Sequence, residues 1–195
     1  LGYDRVQAIA IGMTAMDMFP SHGSFKIQNL WVHNYEVAFL ASLIAGSGAL
    51  TRPHECFLGG LLHDIGRVIF YQFDHERFSR VGIADDLLEK EQELFGCTHA
   101  EAGSWFGEYI SLPTEVITVI RHHHRPSEAK DNSGAVPVVS LSETLCRKFN
   151  PRIEDDGIWT REHDAILLEF QFSEQDIAKF HDAYEAVRPE IERFF

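Results

Sequence analysis

Apolar residues along this chain recur at intervals of three and four, the period of an amphipathic helix, and no convincing alternating run suggests a strand. The spacing predicts a helix over Val6–Phe19, stopped by Pro20 and the turn residues Ser21-His22-Gly23-Ser24. A second is expected over Lys26–Ala45, with Leu30, Val37, Leu40 and Ile44 along one stripe. Pro53 suits the first turn of a third, which carries Phe57, Leu58, Leu61 and Leu62 and runs to about Phe70. Residues 83–95 read as a helix ended by Gly96. Thr98 and Glu101 then form a capping box for a helix towards Ile110, and Pro113 opens another from Thr114 to about His124. Residues 125–135 form a polar loop, Pro137–Phe149 a further helix, and residues 150–159 an acidic connection. Ser173 to Asp176 cap a last helix carrying Ile177, Phe180, Tyr184, Val187 and Ile191. The pattern predicts an all-α fold, a compact helical bundle forming one domain over residues 1–195. Its core is expected over 1–150, with a C-terminal helical extension over 151–195.

The chemistry is expected where ionisable residues interrupt these apolar faces. His33 lies three residues after Leu30 and four before Val37, so it points inward. His63 shares a face with Cys56, Gly59 and Gly60, while Asp64 follows Phe57, Gly60 and Leu61. Two adjacent glycines inside a helix cost about 1 kcal/mol each relative to alanine. Their presence implies that another helix or a ligand approaches closely beside His63-Asp64. Within the histidine triplet, His123 and His124 continue the stripe of Val116, Ile117 and Ile120, whereas His122 falls on the wetter side with Glu115 and Thr118. Glu143 interrupts the face of Val139 and Cys146.

Buried ionisable groups need partners. One or two divalent metals would satisfy them, and imidazole with carboxylate suits zinc, iron, manganese or nickel alike. Asp64 could bridge two ions, with a metal-bound water placed to attack phosphorus. Ordinary readings stand beside this one. Each histidine could be a hydrogen-bonded core residue, His99 a helix-start residue, and His123-His124 a pair at a helix C-terminus. Glu143 could belong to a plain ion pair. His22, His54, His75, His163 and His181 show no such pattern and read as surface residues.

Net charge −13 disfavours generic binding to a nucleic-acid backbone. A small phosphorylated ligand stays possible, because a bound cation would reverse the local sign. Three widely spaced cysteines without a CxxC pair suggest reduced thiols, and neither a signal peptide nor a membrane span is apparent. A cytoplasmic location without membrane partners is therefore expected.

The segments GGLLHDIGRVIF, THAEAGSWF and LPTEVITVIRHHHRP, in that order, resemble the HD superfamily of metal-dependent phosphohydrolases. More closely, the chain resembles the HDOD domain, a signalling output module related to the HD-GYP cyclic-di-GMP phosphodiesterases. The likeness runs from Leu1-Gly2 to at least Phe149, and by it the domain is expected to lack the family's usual further N-terminal helices. By resemblance, His33 is the first histidine, His63-Asp64 the signature doublet, His99 the histidine of the central helix and His123-His124 the histidine pair. These imply one metal near His33, His63 and Asp64, and another near Asp64, His99, His123 and His124. Glu143 stands where the superfamily has its final aspartate ligand. Arg67 replaces a lysine common in the phosphodiesterases and is a candidate phosphate contact. The GYP segment is absent after the histidine pair, so hydrolysis of cyclic-di-GMP is not carried over. The resemblance implies a regulatory domain with a metal site and a signalling protein partner. Its alternative is an active phosphohydrolase acting through Asp64 and His63 on a nucleotide-type phosphoester.

Overall fold

A computed structural model describes residues 10–15, 18, 25–48, 51–81, 86–129, 134–151 and 158–194. Helices dominate, and no strand occurs among the described residues. In chain order they are α1 (Phe25–Ser47), α2 (Pro53–Leu62), α3 (Ile65–Phe73), α4 (His75–Val81) and α5 (Leu87–Phe95). There follow α6 (His99–Tyr109), α7 (Thr114–His122), α8 (Ala135–Phe149), α9 (Arg161–Glu169) and α10 (Glu174–Phe194). A single 3₁₀ turn over Pro126–Glu128 follows α7. The expected first helix is seen at residues 10–15 and 18, and the rest of it, with the turn at 21–24, lies outside the described residues. So do the starts of the expected 83–95 helix, residues 130–133 of the polar loop and most of the acidic connection.

Local chemistry accounts for most boundaries. The Thr98 side chain accepts from the Glu101 backbone N–H, and the Glu101 carboxylate accepts from the Thr98 N–H, so the box opens α6 as expected. Gly96 ends α5 in the left-handed conformation at φ 78°, where a side chain would be strained. Ser173 and Asp176 cap α10 reciprocally. One expectation needs correction. Residues 53–70 do not form one helix, because the chain breaks at His63-Asp64 into α2 and α3, with Asp64 at φ −99° and ψ 14°. Successive positions of an unbroken helix are about 100° apart, so the break helps both side chains of the doublet face inward. Helix α9 lies beyond the expected connection of 150–159, in a stretch for which no element was predicted.

Helix α1 is central, with α2, α8 and α10 packed around it. Helix α6 lies between α3 and α7, and α2 contacts both α7 and α8. One apolar cluster joins α1 to α8 and α10 through Leu40, Ile44, Leu141, Leu145 and Tyr184. A second joins α1, α2, α3 and α7 through Leu30, Leu62, Ile65 and Ile120. The polar centre lies where these clusters meet. Gly60 explains the close approach expected beside the doublet: a Cβ there would lie 2.7 Å from the Ala38 Cα of α1. Glycine lets α2 press directly on α1 and brings His63 level with His33. No described helix is long and apolar enough to cross a membrane, and the three cysteines form no disulfide.

Candidate metal centre

Six of the seven expected metal ligands converge. His33, His63, Asp64, His99 and His123 are buried and His124 is half-buried, although they come from α1, the α2–α3 break, the start of α6 and the end of α7. Their ligand atoms fall into two groups that share Asp64. Asp64, His99, His123 and His124 form one, and His33, His63 and Asp64 form the other, each with its atoms within 4.8 Å of one another.

Ring orientation carries the chemical argument. The His63 Nδ1 lies 2.7 Å from the Gly60 carbonyl oxygen, and the His123 Nδ1 lies 2.9 Å from that of Ile120. His99 directs its Nδ1 at the Glu91 carboxylate, 2.7 Å away. Carbonyl and carboxylate oxygens only accept, so each Nδ1 carries the hydrogen and each neutral ring presents a lone pair at Nε2. Those lone pairs face one another. The His99 Nε2 is 3.2 Å from that of His123 and 3.0 Å from that of His124. Asp64 Oδ1 is buried without a hydrogen-bond partner among the described residues, 3.2 Å from His99 Nε2 and 3.8 Å from His123 Nε2. Several inward lone pairs and a carboxylate oxygen repel unless a cation or proton stands between them. A divalent metal with nitrogen and oxygen ligands fits this donor set.

Without a metal, a proton on His99 takes the cation's place. Burial favours the neutral acid at Asp64, yet His63, Arg67 and His99 together hold it well below the usual carboxylate range. Burial opposes charge on His99, but Glu91 and Asp64 outweigh it and raise the imidazole to about 10, so in the metal-free centre Nε2 also carries a proton, which a bound metal would displace to expose the lone pair. His123 is lowered by burial and by the neighbouring histidines, leaving it neutral and able to coordinate.

The remaining expected residues lie elsewhere. Glu143 is buried but outside both groups. It lines a partly open cleft of about 300 Å³ with His123, His124, Ser140, Thr144 and His163. Arg67 is buried, and its guanidinium donates to Asp64 Oδ2 at 2.8 Å, so that charge faces the aspartate rather than the cleft. His122 is half-buried and outside both groups, as are His54 and His181, while His75 is exposed. His22 lies outside the described residues.

His163 corrects its surface assignment. It is buried, accepts the Thr160 N–H at Nδ1 and places Nε2 3.2 Å from Ser140 Oγ. With Nδ1 accepting, a neutral ring donates from Nε2, so it cannot act as a base on Ser140. The sequence signal was the Thr160-x-x-His163 spacing, a capping box with histidine in the usual position of glutamate.

Glu91 was also missed. Fully buried, it accepts from both the His99 N–H at 2.8 Å and the His99 ring. Leu87, Leu88, Leu94 and Phe95 flank it at helical spacing, so the facing argument applied to Glu143 would have found it. A carboxylate behind a metal-binding histidine fixes its tautomer and raises its basicity. Glu91→Gln is expected to weaken metal affinity by about 10–100-fold while the fold persists. Titration calorimetry of the two proteins measures this, and equal affinities would remove Glu91 from the site.

Comparisons with known proteins point the same way. A sequence model of the HDOD domain matches residues 1–126. No curated protein matches the sequence. An HDOD domain protein of unknown function from Geobacter sulfurreducens superposes with TM-score 0.75 and 23% identity, over 98% of this chain and 70% of that one. A candidate phosphohydrolase from Shewanella amazonensis SB2B gives 0.73 and 19%, over 96% and 70%. A candidate signal transduction protein from Marinobacter aquaeolei VT8 gives 0.79 and 18%, over all of this chain and 45% of that longer one. At these identities the solved structures establish the shared fold.

Proposed function

This chain belongs to the HDOD family, and we propose that it is a signalling output domain built around a metal held by histidines and Asp64. The observation that carries this reading is the convergence of Nε2 lone pairs and Asp64 Oδ1 in a buried space. Zinc, iron, manganese and nickel all suit these donors. A regulatory role accords with the missing GYP segment and with the commitment of Arg67 to Asp64. The cleft beside His123 and His124 offers a place for a small phosphorylated ligand or a partner side chain to meet the metal.

That cleft also favours a second reading, hydrolysis of a phosphoester. When bound, a divalent ion supplies Lewis acidity towards a phosphoryl oxygen and lowers the pKa of a coordinated water. The protein's part is to fix the ligands: Gly60 and Ile120 carbonyls orient His63 and His123, and Glu91 orients His99. Glu143 and His163 line the cleft where a substrate would sit.

The two readings separate in an assay of manganese- or iron-loaded protein on nucleotide and cyclic-dinucleotide phosphodiesters. The signalling reading predicts background rates equal to those of Asp64→Ala. Turnover present in the wild type and lost in the variant would replace it with the hydrolase.

A further inference from the structure

We infer that Arg67 stands in for a second cation, so that the centre holds one metal ion, on Asp64 Oδ1, His99, His123 and His124. The inference rests on the metal reading above and goes beyond it by fixing the number of ions and the residue that sets it.

The two oxygens of Asp64 are employed differently. Oδ1 faces the Nε2 atoms of His99 and His123 and has no hydrogen-bond partner among the described residues. Oδ2 accepts from the Arg67 guanidinium at 2.8 Å and lies 3.8 Å from His63 Nε2. A bridging carboxylate would have to give Oδ2 to the second ion. Arginine keeps its charge at any ordinary pH, so proton loss cannot free that oxygen. A divalent ion bonded to Oδ2 would sit beside a fixed positive charge in a buried space, where like charges are weakly screened.

Ligand supply points in the same direction. The first group offers four protein ligands, enough for a closed tetrahedral site, whereas the second offers His33 and His63 besides the shared carboxylate. Arg67 is held in place: it follows Asp64 by one turn, is 5% exposed, and neighbours Gly66, against which the His99 backbone packs.

The test uses the whole protein loaded with manganese(II), reading bound equivalents by elemental analysis and the ion's surroundings by electron paramagnetic resonance. The wild type should bind one equivalent with the spectrum of an isolated ion, and His33→Ala should leave both unchanged. Arg67→Met should admit a second equivalent with the spectrum of a coupled pair, lost again in Arg67→Met/His33→Ala. Two coupled ions in the wild type, or loss of its metal in His33→Ala, would overturn the inference while leaving the metal reading intact. So would a folded Arg67→Met that still binds one. No metal in any variant would overturn both. Should Arg67→Met fail to fold, the wild type and His33→Ala still decide between one ion and two.

Discussion

Asp64→Ala is expected to destabilise the protein by about 3–5 kcal/mol, because it leaves the buried Arg67 guanidinium without its carboxylate. The same change removes the ligand common to both groups, so metal binding should fall below detection. The loss should also depend on pH. His63, Arg67 and His99 hold folded Asp64 below its ordinary pKa. Its contribution is therefore fully present above the unfolded value of about 4 and is lost as pH falls towards the lower folded one. Urea unfolding of metal-free protein between pH 3 and 7 should accordingly show a shallower acid decline for the variant than for the wild type. Parallel declines would mean that Asp64 does not supply this linkage. Asp64→Asn, which keeps the shape, should also lose the metal while distorting the packing less.

Gly66→Ala carries the second large effect. A Cβ at Gly66 would run into the His99 backbone, 2.6 Å from its carbonyl carbon and 2.8 Å from its Cα. Backbone cannot move aside as a side chain can, so the cost should reach or exceed the ~3 kcal/mol upper end of ordinary overpacking. For a chain of this size that corresponds to roughly 6–12 °C in Tm. The displaced segment begins α6 and carries His99, so metal affinity should fall with stability. Gly59→Ala is the informative contrast, because the atoms nearest its Cβ would be those of the Val119 side chain, at 3.0 Å and beyond. It should cost less and leave affinity near the wild type. Equal effects of the two substitutions would show that the α3–α6 contact has no special link to the centre.

Most of this was legible in the sequence because helical spacing reports direction locally. His33 between Leu30 and Val37, and His123 with His124 after Ile120, could be turned inward by counting residues. The Gly59-Gly60 pair announced close contacts, which proved to be α1 at Gly60 and Val119 of α7 at Gly59. Other features depend on distant segments or on short departures from regular geometry. The break at His63-Asp64 occupies two residues within an otherwise helical pattern. Facing could have turned Glu91 inward and cap spacing could have marked His163, but their partners appear only once α6 places His99 against Glu91 and α9 packs on Ser140 of α8. Glu143 was correctly turned inward, but side-chain direction alone could not place it in the cleft, outside the clustered ligand atoms.

Elemental analysis of protein purified without chelator tests the central claim most directly, with a His99→Ala/His123→Ala variant beside it. The account predicts close to stoichiometric transition metal in the wild type, retained through gel filtration, and almost none in the variant. Less than about a tenth of an equivalent in the wild type, with none taken up on reconstitution, would contradict it.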